Sequence, residues 1–452
     1  MSKKVLGRKE KEATAALSIG TFLEYFDLLL FVHMAVLLDN LFFSEEYKNN
    51  PYILAAAFCS TYILRPLGAF IFGWIGDNIG RKNTVVISTT VMALSCVLMA
   101  NMPTYAQIGI SATWLVTICR IIQGMTSMGE RIGAEIYLTE SSLYHFRFPI
   151  VSLVAAFATL GGVAALGFAN CIIKWGFNWR YVFWFGAVIA LVGIYTRMQL
   201  HETAEFVNYK KLQKRILEEN FATKEQIDNV FSKPIFQHKA SKWTQACFFF
   251  IQCAHPVCFY FIYGYCTSVL KLKFACTPEE IIHNNFIVSL FELTKMILII
   301  PILSYYIYPL KILYVKLTLF FVGILAVPYF LSIATSAHDV FLIQAVFASI
   351  AVGSGPALPI FYSHFPVMVR STNAAVIYAL ARMVMYVITA FGAVGLTNNF
   401  GYLGLLILFL PIFSFYLCGL VHFTKLEKAR GLYPESWFNL HITHPVEDEE
   451  IK

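Results

Sequence analysis

Six charged side chains sit in stretches otherwise fit for a lipid core, where an Asp, Lys or Arg costs on the order of 2.5 to 3.5 kcal/mol. Glu24 and Asp27 lie three apart in the apolar run 13–38, with Gly20 one turn before Glu24, so both carboxylates share one helical face. Asp27 is fourteen residues into that run, and Arg120 is fourteen residues into the run 106–138. At about 1.5 Å per residue each lies roughly 21 Å deep, near a bilayer midplane. An acid and a guanidinium at matching depth can pair. The pair is then either a proton relay, broken when Asp27 takes a proton, or a permanent tie between two helices. The relay is expected, because Glu24, a second acid with no structural need, shares the face. In the other half Glu292 and Lys295 are three apart at mid-depth in the run 283–306, and either neutralise each other or contact a solute. Arg382, in the run 371–397, has no acid within one turn and calls for an anionic group of a ligand or a partner across a helix interface.

These residues need membrane helices to hold them, and the composition supplies the material. Of 452 residues 58% are apolar and 13% charged, with a mean hydropathy of +0.65; soluble proteins average about 45 to 50% and about 25%. A water-soluble globule is excluded, and an aromatic content of 16% excludes a disordered chain. Hydropathy with Gly, Pro and charge punctuation gives twelve spans: 13–38, 52–76, 83–101, 106–138, 149–173, 180–200, 243–270, 283–306, 312–335, 339–364, 371–397 and 401–424. The first follows a basic start but carries Glu24 and Asp27 and no small-residue cleavage site, so it is kept as a helix rather than a signal peptide.

Of the 34 Lys+Arg, Lys48, Lys174, Arg180, Lys271 and Lys273 fall on one side, and Arg65, Arg120, Arg131, Lys295 and Arg382 within helices. The rest crowd the side that holds both termini, which places the termini in the cytoplasm. The hydrophilic stretch 201–242 divides the spans six and six. The expected organisation is therefore a tail (1–12), an N-terminal six-helix bundle (13–200), a cytoplasmic loop (201–242), a C-terminal six-helix bundle (243–424) and a second tail (425–452). Within the loop, Lys210, Lys211, Lys214, Arg215, Glu218 and Glu219 fit either an amphipathic surface helix or, as expected here, a solvated connector.

The ten cysteines show no CxxC spacing; all but Cys276 lie in apolar runs and read as small buried hydrophobes. His255, His283 and His364 are scattered, without a catalytic or metal-ligating pattern, and there is no phosphate-binding glycine loop. No enzyme, metal, cofactor or nucleic-acid partner is expected. The expected partners are the bilayer, a small solute and a coupling ion, with the chain acting as a monomer.

Between the second and third spans runs Gly73-Trp-Ile-Gly-Asp77-Asn-Ile-Gly80-Arg81-Lys82. This GxxxDxxGRK loop resembles the signature of the major facilitator superfamily. The stretch Gly20-Thr-Phe-Leu-Glu24-Tyr-Phe-Asp27 is similar to the start of its metabolite:proton symporters, among them bacterial proline/betaine, alpha-ketoglutarate, citrate and shikimate transporters. Arg65-Pro66-Leu67-Gly68, Arg120-Ile-Ile-Gln123-Gly124, Gly129-Glu130, Tyr137-Leu-Thr-Glu140, Asn178-Trp179-Arg180, Glu202-Thr203-Ala-Glu-Phe206 and Phe365-Pro366-Val-Met-Val369-Arg370 follow in the family's order, and the proline/betaine type is the nearest resemblance.

That resemblance implies an all-α integral membrane protein of two six-helix bundles around a cavity lined by the first, fourth, seventh and tenth helices. It implies proton-coupled symport of a small polar organic solute, proline/betaine-like or an organic acid, by alternating access, in a plasma membrane of the bacterial inner-membrane kind. Proton coupling is expected at Asp27, Glu24 and Arg120, and solute contact at Gln123, Glu130, Glu292, Lys295, Tyr378 and Arg382. By similarity to the sugar porters, Gly73, Asp77, Gly80, Arg81, Lys82, Glu140, Arg147, Arg197 and Glu202 are gating residues. Tyr25, Phe31, Tyr260, Tyr263 and Tyr378 could box a quaternary ammonium.

The chain also departs from the pattern. The Arg-Gly usual after the fourth helix reads Arg147-Phe148-Pro149, and the second copy of the signature loop has decayed to Ser304-Tyr305-Tyr306-Ile-Tyr308-Pro309-Leu310-Lys311. Arg131 stands where the family has an aromatic, and can pair with Glu135 one turn on. Two alternatives stay open. Export by proton antiport is disfavoured because the fifth helix lacks a Gly-Pro pair; a solute sensor that binds without transporting is motivated by the decayed loop.

Overall fold

The computed structural model describes residues 8–33, 38, 41–42, 63–218 and 240–436. Cys59, the first part of the second span (52–62) and the outer tails lie outside these. Helices follow in the expected order: α1 (Arg8–His33), α2 (Arg65–Asn78), α3 (Arg81–Ala100), α4 (Ile110–Ser141), α5 (Tyr144–Trp175) and α6 (Arg180–Met198) in the first bundle, then α7 (Ala204–Glu218). The second bundle holds α8 (Lys242–Lys273), α9 (Glu279–Tyr306), α10 (Pro309–Ile333), α11 (Ala337–Ile350), α12 (Leu358–Ser363), α13 (Arg370–Phe400) and α14 (Gly404–Ala429). No strand occurs among the described residues. α1 and α4 fall short of a simple hydropathy criterion for a span, because their polar and charged side chains are turned inward: Glu24, Asp27, Arg120, Gln123 and Glu130 are all buried.

The bundles meet where α2 packs on α13 and α5 on α9. Glycine permits the first contact: a Cβ on Gly73 would stand 2.6 Å from the Thr372 Cα. The largest buried apolar cluster runs through this interface, joining Ile132, Ile136 and Phe148 to Phe248, Phe361 and Phe365. A second cluster, with Phe26, Leu30, Met99, Val116 and Phe183, belongs to the first bundle alone. The bundles therefore share a core at one end of the molecule, the end of the α2–α3 turn, called here the basic end.

Four elements differ from expectation. The span 339–364 is broken: α11 stops at Ile350, and Ala351–Ser354 is non-helical before a short turn leads into α12. Gly353, Gly355 and Pro356 cause this, since glycine weakens a helix and proline lacks the N–H that would continue it. Such irregular backbone is tolerated at membrane depth where it lines a cavity, as it does here. α9 widens into a π-helical turn at Lys295–Ile299, just before Pro301, and α8 does so at Tyr260–Tyr265. Finally, the start of the 201–242 loop is not a solvated connector. It folds as α7 with Phe206 and Tyr209 buried, because these two apolar faces find a seat on the basic end.

Candidate functional site: a cationic cavity above a buried ion-pair network

A cavity of about 80 Å³ lies between the bundles, lined from α1 (Tyr25), α4 (Arg131), α5 (Thr159), α8 (Gln252, His255), α9 (Glu292, Lys295), α10 (Lys316), the α11 break (Val352–Gly355) and α13 (Tyr378, Arg382). The first, fourth, seventh and tenth helices of the chain contribute, but so do the fifth, eighth, ninth and eleventh. An adjoining pocket of about 60 Å³ shares Tyr25, Thr159, His255 and Glu292 and extends to Leu166 and Phe259.

The charges here do not balance. Arg131, Lys295, Lys316 and Arg382 face one lining carboxylate, Glu292, with Arg131 also paired to Glu135 just outside the lining. Glu292 accepts a bond from the Tyr263 hydroxyl (3.1 Å), while the Lys295 ammonium bonds the Ala348 carbonyl (2.5 Å) near the C-terminus of α11. The mutual neutralisation considered for Glu292 and Lys295 is thus not a direct pair; the widened turn at Lys295 aims its amine at an orphan carbonyl instead. Arg382 is 4% exposed, its Cζ lies 3.7 Å from the Tyr378 ring centroid, and its Nη1 has no hydrogen-bond partner. Lys316, near the start of α10, has neither ion pair nor hydrogen bond among the described residues. The guanidinium of Arg131 stands 5.0 Å from the Tyr25 ring and 5.3 Å from that of Tyr378. The Tyr25 and Tyr378 rings therefore already face guanidiniums, and Tyr260 does not line the cavity; the side chain of Phe31 lies outside the described residues.

Behind this cavity, inside the first bundle, Arg120 Nη1 lies 3.7 Å from Asp27 Oδ2 and donates to Gln123 Oε1 at 2.8 Å. The thiol of Cys96 is 3.6 Å from Asp27 Oδ1. Gln123 is buried and positions Arg120 rather than facing the cavity. Glu130 is displaced from its expected place as well: it is bound by Arg197, Ser88 and Thr89. Arg197 reaches from α6 to Glu130 of α4 and the Leu17 carbonyl of α1, and a Cβ on Gly20 would fall on its guanidinium. A buried carboxylate and a buried guanidinium each require a partner, and each is the nearest available to the other. Glu24 is 2% exposed and its Oε2 has no hydrogen-bond partner.

At the basic end the signature loop closes the two bundles on each other. Asp77 Oδ1 accepts from the Ser371 N–H (3.0 Å), and Oδ2 from the Thr372 N–H (2.9 Å) and hydroxyl (2.7 Å), on the first turn of α13. Arg81 donates to Asp77, Glu140, the Gly76 carbonyl and the Val367 carbonyl. Glu140 also accepts from Arg370 (2.9 Å) and Thr203 (2.7 Å), and Arg370 bridges on to Glu205 of α7 at 2.6 Å. Glu140 lies beyond the expected membrane segment; burial alone would push its carboxyl up, but Arg81 and Arg370 hold it below the usual range. Glu202 caps the N-terminus of α3 through the Arg81 and Lys82 N–H groups, and Gly80, at a φ of 140°, leaves room for it.

Gly73, Asp77, Gly80, Arg81, Glu140 and Glu202 thus converge. Three others do not: Arg147 stacks 5.9 Å from the Tyr144 ring and touches none of these carboxylates, Arg197 is held by Glu130, and Lys82 lends only its backbone. Arg370 and Glu205 occupy the place expected for Arg147. Both stood in quoted motifs; what the sequence could not signal was that α7 would dock and carry Glu205 to Arg370. Nor are the cysteines uniformly buried, since Cys418 is exposed and Cys171 half-buried.

Comparison with known proteins accords with this architecture. Over 89% of this chain and 93% of its own length, a Haemophilus influenzae protein named "Putative metabolite transport protein" is 28% identical. A Staphylococcus aureus "Putative proline/betaine transporter" is 31% identical over 211 residues, 44% of this chain and 45% of that one. The proton:xylose symporter XylE of E. coli superposes with a TM-score of 0.70 at 17% identity, over 96% of this chain and 98% of its own. The sequence matches the Major Facilitator Superfamily across residues 17–393, and the chain therefore belongs to that superfamily of multi-pass membrane transporters and is not an enzyme.

Proposed function

We propose that the protein carries a small organic acid across the plasma membrane together with a proton, by alternating access, with both termini in the cytoplasm and the basic end as the cytoplasmic gate. One observation carries the choice of solute: Lys295, Lys316 and Arg382 line the central cavity against a single carboxylate, Glu292, while Arg131 beside them is paired with Glu135, and buried Arg382 has a donor without a partner. In a medium of low dielectric such an excess of like charge is stabilised by an incoming anion. A quaternary ammonium has no comparable welcome, because the Tyr25 and Tyr378 rings already face guanidiniums. Lys295, Lys316 and Arg382 are the anion contacts, with Glu292, Tyr378 and His255 shaping the remainder.

Proton coupling is assigned to Asp27 with Arg120, and Glu24 serves as a second acceptor on the same face. The support is geometric: the carboxylate is buried, its cationic partner Arg120 stands at 3.7 Å, and protonation would release that partner. The choice of proton over sodium rests on the resemblance to the metabolite:proton symporters.

Purified protein in liposomes, given radiolabelled succinate, citrate, proline or betaine under an imposed inward proton gradient, tests both halves. Uphill uptake of a carboxylate is expected, and Asp27→Asn should abolish accumulation while leaving exchange. Accumulation of betaine alone would overturn the choice of solute, and uphill uptake by Asp27→Asn would remove the proton role.

A further inference from the structure

Arg131 is a residue of the cavity that also belongs to a bond between the bundles, and its chain of contacts leads from the one to the other. Its guanidinium lines the cavity between the Tyr25 and Tyr378 rings, with the two hydroxyls 3.4 Å apart across the bundle interface. Its Nε donates to Glu135 Oε1 at 3.1 Å, one turn along α4. The other oxygen, Glu135 Oε2, accepts from the Tyr362 hydroxyl of α12 at 2.6 Å, which crosses to the second bundle. Glu135 is 1% exposed and Tyr362 fully buried. Eight residues after Tyr362 the chain reaches Arg370 and the amides that Asp77 holds.

A buried carboxylate shared by a guanidinium and a phenol is stable only while both remain. An anion in the cavity competes for the guanidinium. We propose that Arg131 is a solute contact and the trigger of an inner latch: an anion bound in the cavity draws Arg131 from Glu135, the Glu135–Tyr362 bond between the bundles fails, and the gate at Asp77 loosens. The inference rests on the organic-acid reading of the cavity and adds the step by which occupancy reaches the gate. An aromatic residue at position 131 could not perform it, since it offers neither the charge for Glu135 nor the second donor for a solute.

Hydrogen exchange read by mass spectrometry on the full chain in nanodiscs follows the gate directly, because Asp77 protects the Ser371 and Thr372 amides. Succinate and citrate serve as probes, with calorimetry establishing saturation. Saturating probe should raise exchange in peptides covering 365–376 several-fold in the wild type, and Tyr362→Phe should raise it similarly with no probe present. Arg131→Met, once saturated, should show no rise. Unchanged exchange in Tyr362→Phe, or a wild-type response in Arg131→Met, would overturn the latch even where calorimetry upholds the solute. If neither probe binds the wild type, the organic-acid reading fails; Tyr362→Phe then judges the latch on its own, faster exchange upholding it and unchanged exchange refuting it. Should Tyr362→Phe not fold, Glu135→Gln takes its place with the same expectation, since a neutral amide holds neither Arg131 nor the phenol as firmly.

Discussion

A guanidinium that is 4% exposed and still has a free donor is the least settled group in the cavity. Hydrogen bonds to charged groups contribute about 1.5–3 kcal/mol, so Arg382→Met should weaken carboxylate binding roughly ten- to a hundredfold while leaving the fold intact. Arg382→Lys should recover only part, because an ammonium cannot match the planar fork. Calorimetric titration of both variants checks this; an unchanged Kd in Arg382→Met would place the solute elsewhere. At this scale the sequence was legible where depth alone decided the outcome: Asp27 with Arg120, and Arg382 with no acid nearby. It was illegible where two candidates competed for one partner. Nothing in spacing reveals that Glu130 is taken by Arg197, or that Arg147 leaves its place to Arg370, since those matches depend on how α6, α7 and α13 dock.

Elements carry the second layer of constraint. The order of the helices was readable from hydropathy because lipid demands long apolar runs, and the failures fall where backbone, not hydropathy, decides. The α11 break and the π turn at Lys295 follow from glycine and proline, whose effect on a buried helix depends on what covers the freed carbonyls. The contact of α2 with α13 is a sharper case. At Gly73 a side chain would collide with the backbone at Thr372, and backbone cannot yield as a flexible side chain does. Gly73→Leu should therefore hold the bundles apart at the basic end, with exchange at Ser371 and Thr372 raised and uphill uptake lost, while solute binding persists. Loss of binding together with the gate would instead mean that the first bundle had misfolded.

Across the whole molecule, the proposed gate at the basic end and the proposed solute cavity lie at different depths and share no carboxylate: Glu140 and Asp77 hold the one, Glu292 lines the other. Their separation predicts that the gate can be broken without removing the site. In Glu140→Gln, Arg81 and Arg370 lose their common anion while remaining buried, and breaking a buried pair from one side costs about 3–5 kcal/mol. That is enough to invert an equilibrium between closed and open states, since about 1.4 kcal/mol is tenfold at 25 °C. Arg370 keeps Glu205, and Arg81 keeps Asp77, so the chain retains partners enough to fold. The variant should bind carboxylate from the basic end at least as tightly as the wild type, because coupling between site and gate is reciprocal, fail to concentrate it, and still exchange it downhill. Inside-out vesicles loaded with labelled succinate separate these outcomes: unimpaired uphill transport by Glu140→Gln would mean that the buried network at the basic end is only a structural tie.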